Sequence, residues 1–575
     1  MDTLLELLDP LPSPALTLTS PNDAARHVKY LTLRDFVSGF RNKLVQELGV
    51  RKGDVIASSL VNGLEFVVTF LGTGIARAIA APLNPTYSVD EVKFYLEDTK
   101  PTLLVLPVLS TLYPGSGISK GAQNALQAAK EVGVRVAEIS ILEEDRDILL
   151  RVIYRSGLFS GVKDAGRKLA TVGVPIRGTK LYKYENPSPD DITLVLHTSG
   201  TTGRPKSVPL SHLNLITTMK NITQTYSLQP TDKSLLVMPL FHVHGLLAGL
   251  LSPLRSRGTV VIPTPSLSGS PFSASTFWKD FISEGCTWYT AVPTIHTILL
   301  NTPLPNTLPK IKFIRSCSSS LSPSTLRALE ERFKAPVLEA YAMTEAAHQM
   351  TSNLAPFSRV KSEKGEGGER VPGTVGVGVG VEVCIRDVGN GREVKRGELG
   401  EVCVRGKNVT KGYWAGESVN REAFWEGGWF RTGDQGFIQP NPPHHLQLTG
   451  RLKELINRGG EKVSPLEIDH ALLGIKGVGE AVAFGVPDDK YGEIVWAAVV
   501  LKSGNAGEAL GKNGDEVEKR LQGELGTKLS KFKIPTRILV TESIPKTATG
   551  KVQRRHVRDA FLGREKRSSA VKAKL

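Results

Sequence analysis

The sequence predicts an α/β protein: a large N-terminal domain of layered α/β subdomains, a small β unit that closes it, and a smaller α+β domain after it. Three observations lead there. Short apolar runs alternate with stretches of helical period over roughly the first 350 residues, the pattern of βαβ units around parallel sheets. Between residues 373 and 434 the pattern turns to valine-rich alternation, and past Gly450 a second series of strands and helices begins. In chain order, residues 54–60, 103–106, 193–196 and 235–238 are predicted as buried parallel strands, because each is a continuous apolar run of strand length. Residues 89–99 and 120–131 repeat apolar side chains at helical spacing. Val381-Glu-Val-Cys-Ile385 and Leu399-Gly-Glu-Val-Cys-Val-Arg405 are predicted as antiparallel strands. Residues 143–185 and 356–372 are polar or weakly patterned, and the second is expected to be a mobile loop. The expected domains are 1–450, 451–560 and a basic tail, 561–575, with no internal repeat.

A chain of 575 residues exceeds what one core organises, and 40% hydrophobic with 22% charged residues excludes a disordered or fibrous chain. The net charge of +15 calls for an anionic partner: nucleic acid, a membrane surface or a phosphorylated ligand. Residues 551–575 hold nine Lys or Arg against two acids, so much of that excess lies in a tail expected to be exposed. The basic clusters lack interleaved aromatics, which places a nucleic-acid-binding protein behind a nucleotide site, and no nucleic-acid partner is expected. The longest apolar stretch, residues 66–83, is broken by Arg77 and glycines and falls short of the ~20 residues a bilayer span needs, so no membrane span is expected. Asp2, Glu6 and Asp9 argue against a secretory signal or a mitochondrial presequence. Cys286, Cys317, Cys384 and Cys403 form no C-x-x-C pair, which fits a reducing compartment without structural zinc. Ala573-Lys574-Leu575 resembles the Ser-Lys-Leu peroxisomal address, so a peroxisomal location and an import receptor as partner are expected.

His197-Thr-Ser-Gly-Thr-Thr-Gly-Arg-Pro-Lys206 follows the strand at 193–196 and gathers four hydroxyls, two glycines and a lysine. Glycines admit backbone N–H groups to an anion, hydroxyls donate to its oxygens, and Lys206 adds charge, so the segment suits a triphosphate. Pro205 stands where a Walker loop needs its second glycine, which excludes a P-loop kinase or GTPase. Thr198-Ser-Gly-Thr-Thr-Gly-Arg-Pro-Lys206 resembles the signature of the adenylate-forming acyl-CoA synthetases. Further signatures follow in that family's order: Met238-Pro-Leu-Phe-His-Val-His-Gly245, Tyr341-Ala-Met-Thr-Glu345, Trp429-Phe-Arg-Thr-Gly-Asp434, Gly450-Arg-Leu-Lys-Glu-Leu-Ile456 and Pro545-Lys-Thr-Ala-Thr-Gly-Lys551. The resemblance covers residues ~30 to ~555. Ser207 departs from it, since the family usually has glycine there.

The resemblance implies an AMP-binding domain followed by a mobile C-terminal lid, with ATP, Mg²⁺ and coenzyme A as cofactor and co-substrates. It places Thr198, Ser199, Gly200, Thr201, Thr202, Gly203 and Lys206 on the phosphates, Glu345 on the metal and Thr344 on a phosphate. Tyr341 is expected against adenine with Glu339 and Ala340 beside it, Asp434 on the ribose hydroxyls and Arg451 on ribose or phosphate. Lys551 matches the adenylation lysine, Lys453 the hinge of the lid, and Gly459 and Gly460 a close approach to the pantetheine channel.

A fatty or aromatic acyl pocket calls for apolar walls. The three segments that line the pocket in the family are polar here: Phe241-His-Val-His-Gly245, Arg315-Ser-Cys-Ser-Ser-Ser320 and Tyr341-Ala-Met-Thr-Glu-Ala-Ala-His348. His242, His348 and Ser316 or Ser318 are therefore expected to bind a second carboxylate of a very small diacid, with His242 also able to serve as a gate. The pattern most closely resembles oxalate–CoA ligases of fungi and plants. The expected reaction is adenylation of a small carboxylic acid, oxalate favoured, and thioesterification to coenzyme A; a fatty or aromatic acyl-CoA ligase is the alternative.

Overall fold

The computed structural model describes residues 2–20, 23–142, 147–154, 185–198, 205–362, 365–366, 368, 370–502, 510–511, 513–546 and 552–572. Among these residues the N-terminal part is built on two large, mainly parallel sheets. The first has the order Asp147–Tyr154, Val136–Leu142, Leu103–Pro107, Val55–Ser58, Ile79–Pro82, Ile192–Thr198, Lys206–Ser211. Its five central strands run parallel and the two edge strands antiparallel. The second runs Val377–Gly378, His348–Ser352, Val337–Met343, Phe313–Ser316, Trp288–Ala291, Lys233–Leu235, Thr259–Ile262, Pro14–Leu18, Arg26–Lys29.

One apolar core lies between the sheets. Helices Tyr30–Asn42, Leu64–Ile75 and His212–Thr225, with the wide-turned helix His244–Leu251, fill it with Phe36, Phe40, Leu71, Met219, Leu247 and Leu250. The apolar stretch at 66–83 is explained by this layer: helix Leu64–Ile75 is buried all round, and after a turn at Arg77 (φ 61°) the chain enters the buried strand Ile79–Pro82. No helix among the described residues is long and apolar enough to cross a membrane. Local sequence sets several element ends. Ser88 and Glu91 form a reciprocal capping box at the start of Val89–Thr99, and Ser211 and Asn214 do the same for His212–Thr225.

Three expectations change. The apolar run 235–238 leaves the sheet after Leu235, while Leu236, Val237 and Met238 stay buried, because continuous apolarity reports burial and not strand pairing. The weakly patterned stretch 143–185 contains an edge strand, Asp147–Tyr154, whose half-exposed face dilutes its apolar signal; 143–146 and 155–184 lie outside the described residues. Within 356–372, Lys361–Ser362 pairs antiparallel with Gly365–Glu366, and residues 363, 364, 367 and 369 lie outside the described ones.

The β unit follows as antiparallel strands Glu382–Arg386, Gly400–Arg405, Trp429–Ile438 and Leu446–Arg451. Cys384 faces Cys403 across it, and all four cysteines are buried, free thiols. From Ile456 a separate sheet begins, with the order Glu461–Val463, Ile456–Arg458, Gly492–Leu501, Val478–Asp488, and Arg537–Val540 added beside Gly492–Leu501. Ile468, Leu472, Val495, Val499, Leu521 and Leu525 form its own core.

The expected exposed tail is also revised. Helix Arg554–Lys572 packs Val557 and Phe561, one turn apart, against Phe484 and Trp496. Arg554 pairs with Glu454 (3.1 Å) and Asp469 (2.6 Å) and donates to the Ala483 carbonyl (2.9 Å). Part of the basic run is thus internal ion pairing, and Phe561 belongs to the C-terminal core.

Candidate active site

Thr198 and Glu345, two of the expected residues, lie at the carboxyl ends of parallel strands, where open α/β sheets place their ligands, and Asp434 and Arg451 approach from the antiparallel β unit. Strand Val337–Met343 ends in a single turn, Thr344–Ala346, after which Ala347 (φ 47°) and His348 (φ 102°) reverse the chain into the antiparallel strand His348–Ser352. The turn buries Glu345. Its Oε1 accepts from the Tyr413 hydroxyl (2.9 Å) and from Thr198 Oγ1 (3.4 Å), at the end of strand Ile192–Thr198. The Glu345 carbonyl accepts from the Thr410 amide at 2.7 Å. Burial raises the Glu345 pKa, while the tyrosine and threonine hydroxyls and the charge of Arg451 favour the carboxylate. Lys206 Nζ lies 4.8 Å from the centre of the Tyr413 ring, a cation–π contact that brings its charge to the same corner.

Tyr341 is buried, and its hydroxyl donates to Asp434 Oδ2. Burial, and then the Asp434 charge, push the phenol pKa well above its usual range. Asp434 faces Arg451 across strands Trp429–Ile438 and Leu446–Arg451, with Nε 3.4 Å from Oδ1. Ala340 is buried in the strand, and Glu339 points back to Gly373, whose amide it accepts at 3.0 Å. Burial drives Glu339 up to about 8. Thr198, Thr344, Glu345, Tyr341, Asp434, Arg451 and Lys206 thus share one region of the protein, whereas Ser199, Gly200, Thr201, Thr202, Gly203 and Lys551 lie outside the described residues. Among the described residues no group of three or more His, Cys, Asp or Glu could hold a metal.

On the acyl side the residues come together differently from the expectation. His242 is half-buried, and its Nδ1 accepts from the His244 amide at 3.2 Å. His244 is fully buried, with Nδ1 3.0 Å from Ser318 Oγ and Nε2 2.6 Å from Thr290 Oγ1. Gly245 makes that placement possible, because a Cβ there would lie 2.2 Å from the Pro239 carbonyl oxygen. His348 stacks on His244 with ring centres 5.1 Å apart. Its Nε2, like Ser316 Oγ, is buried without a hydrogen-bond partner among the described residues. Burial first, and the Arg315 charge second, hold both imidazoles well below the usual histidine range, so both are neutral at pH 7. Ser318 has φ 73°, a strained value for serine. Sequence reading missed His244, Arg315 and Tyr413. The first two lay inside quoted motifs, but only burial separates His244 from His242, and Tyr413 belongs to no motif.

Lys453 lies exposed in the turn Leu452–Glu454. Gly459 (φ 60°) and Gly460 (φ 93°) form the exposed tip between Ile456–Arg458 and Glu461–Val463, with left-handed dihedrals that favour glycine. The C-terminal unit touches the acyl-side loop through His470 Nε2 and Ser320 Oγ, 3.0 Å apart.

A layered α/β domain with a hydroxyl-bound buried glutamate and an Asp–Tyr–Arg cluster at its strand ends is that of an AMP-binding enzyme. Residues 13–414 match the AMP-binding enzyme family and residues 467–551 the AMP-binding enzyme C-terminal domain; the chain belongs to this family. It is 44% identical to an oxalate–CoA ligase of Saccharomyces cerevisiae over 92% of this chain and 89% of that protein. It is 42% identical to an oxalate–CoA ligase of Arabidopsis thaliana over 93% and 94%. Among solved structures, ATP-bound MatB from Rhodopseudomonas palustris is 27% identical with a TM-score of 0.77, covering 97% of this chain and 98% of that one.

Proposed function

We propose that this protein is an ATP-dependent acid–CoA ligase that converts oxalate to oxalyl-CoA. The substrate carboxylate oxygen attacks the α-phosphorus of ATP as the bond to pyrophosphate breaks, giving an acyl-adenylate. The sulfur of coenzyme A then attacks the acyl carbon, and AMP leaves. In the first step two anions must meet, so catalysis requires positive charge and donors placed where charge develops. Lys206, and Lys551 from the C-terminal unit, are the protein's cations for this; Thr344 and the loop Ser199–Gly203 donate to phosphate oxygens. Tyr341 flanks the base, while Asp434, oriented by Tyr341 and Arg451, accepts the ribose hydroxyls. Rotation about Lys453 then exposes the acyl-adenylate to coenzyme A, whose pantetheine passes Gly459 and Gly460.

The Glu345 carboxylate, buried beside the Thr198 hydroxyl, fits Mg²⁺, which takes few protein ligands and completes its shell with water and phosphate oxygens. When bound there, Mg²⁺ supplies charge neutralisation on the phosphates.

The observation that carries the choice of substrate is the polar acyl side. Neutral His348 and His244, Ser318 and Ser316 Oγ, which has no partner among the described residues, suit a second carboxylate bonded directly to the reacting one. An aliphatic or aromatic chain would leave these groups without partners, at ~1–3 kcal/mol for each. The identity to two oxalate–CoA ligases supports the same reading. Pyrophosphate release by the purified protein with oxalate, malonate, octanoate and coumarate tests it: oxalate is expected to exceed the others in kcat/KM, and silence with oxalate overturns the proposal. The tripeptide Ala573-Lys574-Leu575 supports a peroxisomal location through the import receptor, and a fluorescent protein ending in residues 561–575 should become punctate and turn diffuse once the tripeptide is removed.

A further inference from the structure

Arg315 is the third residue of the strand Phe313–Ser316, next to Ser316, and is completely buried. A buried guanidinium ordinarily has a carboxylate beside it, since an uncompensated buried charge costs several kcal/mol. Among the described residues none pairs with Arg315. Its partners are all neutral: Nε donates to the Tyr226 hydroxyl (2.9 Å), Nη1 to Thr290 Oγ1 (3.2 Å) and Nη2 to Gln349 Oε1 (3.2 Å). Nη1 is also 3.5 Å from His244 Nε2.

This cation, beside both Thr290 Oγ1 and His244 Nε2, favours one direction in a hydrogen-bond chain. Arginine can only donate, so Thr290 Oγ1 accepts from it and has its own proton left to give to His244 Nε2, 2.6 Å away. A histidine that accepts at Nε2 carries its proton on Nδ1 when neutral and donates it to Ser318 Oγ, 3.0 Å away. Ser318 has then accepted, and its hydroxyl proton is free to donate outward from a half-exposed position. Every link then runs from the buried cation to the half-exposed Ser318 hydroxyl.

We propose that Arg315 is a positioning residue for substrate selection. Through Thr290 and His244 it sets Ser318 as a donor and supplies the fixed positive charge that favours a small diacid over a monocarboxylate. This rests on the acid–CoA ligase reading above and deepens it. The chain also explains why the two stacked histidines need not be charged to serve an anion: the charge is arginine's, and the imidazole transmits it as an oriented donor.

Two substitutions test the chain without deleting the arginine. Thr290→Val cuts it in the middle, and Gln349→Glu, nearly isosteric, gives Arg315 the counter-charge it lacks. Each is expected to raise the oxalate KM by ~10-fold or more while the ATP KM stays within about twofold, the scale of one hydrogen bond to a charged group. Ser318→Ala added to Thr290→Val is expected to cost little more than either alone, because both break one chain. In the folded wild-type protein, nitrogen NMR of the imidazoles should show His244 as the Nδ1–H tautomer. Gln349→Glu keeps the test alive if Thr290→Val fails to fold, since it adds an ion pair and removes no volume. The proposal is overturned by an Nε2–H tautomer, by additive losses, or by equal shifts in oxalate and ATP KM. Absence of any oxalate activity in the wild type would remove the choice of oxalate, while the tautomer would still report on the chain.

Discussion

The nucleotide end and the acyl end of the site are built with opposite charges and similar means. At the nucleotide end two carboxylates, Glu345 and Asp434, are each held by a tyrosine hydroxyl, from Tyr413 and Tyr341. At the acyl end a guanidinium, Arg315, is held by a hydroxyl, a threonine and an amide. In both places hydroxyl or amide groups orient the charge, and at the nucleotide end the Arg451 guanidinium adds a cation beside Asp434. The difference in sign suits different ligands: under the proposed function the carboxylates would meet a cation or the hydroxyls of a sugar, and the arginine would act on an anion. On the proposed reading, placing these charges on different elements keeps the two ends of the site distinct.

Breaking the nucleotide end should have the largest effect. Glu345→Gln keeps the volume and the Tyr413 contact but removes the charge, and is expected to lower kcat for pyrophosphate release by roughly 10²–10³, the loss typical of a group that stabilises developing charge. The oxalate KM should move far less. A variant that instead lost oxalate affinity and kept kcat would show that the two ends are not separate.

At the acyl end, His348→Ala removes a buried ring and the unpartnered Nε2. The oxalate KM is expected to rise ~10-fold or more with the ATP KM nearly unchanged, as for a lost hydrogen bond to a charged group. Parallel initial-rate series in the two substrates check this, and equal rises would contradict the division between ends.

Glu339 sharpens the comparison through stability. Its carboxyl is pushed up from about 4.5 to about 8 by burial. Below the lower value both folded and unfolded chains hold the proton; between the two only the folded chain does. Unfolding then releases a proton, so stability falls as pH rises across that window by up to ~1.4 kcal/mol per pH unit and levels off above it. Glu339→Gln retains an acceptor for the Gly373 amide and is expected to remove this slope. Denaturant midpoints for the N-terminal domain at about pH 6 and pH 8.5 check it, and an unchanged slope would assign the pH dependence to other groups.

What was legible in the sequence follows from how local each signal is. The βα alternation and the order of motifs stated the layered domain and the strand-end site, because apolar period and turn residues act within a few positions. Partners contributed from far along the chain left no such mark. Tyr413 reaches Glu345 from 68 positions away, and Arg315 meets Thr290 across 25. Within Phe-His-Val-His both imidazoles look alike until Gly245 lets the helix turn inward and bury His244. The basic helix at the C-terminal end read as exposed because charge count hides the i, i+4 pair Val557 and Phe561 that anchors it.

The smallest expected effect concerns Ser207, the departure from the family's glycine. Its hydroxyl donates to Asp98 Oδ2 and lies 2.9 Å from His197 Nε2, which is itself 2.9 Å from the same carboxylate oxygen. The triangle ties strand Ile192–Thr198, strand Lys206–Ser211 and helix Val89–Thr99 together at the strand ends that flank residues 199–204. Burial lowers the His197 pKa, so the imidazole is neutral at pH 7 and serves as a hydrogen-bonding wedge, packed 4.5 Å from the Tyr95 ring. Ser207→Gly removes one corner and is expected to raise the ATP KM by only ~2–5-fold, because the Asp98 carboxylate is 40% exposed and water can replace the lost donor, with the oxalate KM unchanged. Asp98→Asn should have an effect of the same size, and combining the two should add little, because both loosen one triangle. Independent, additive changes would mean that the stems of the loop are held by the strand ladder alone.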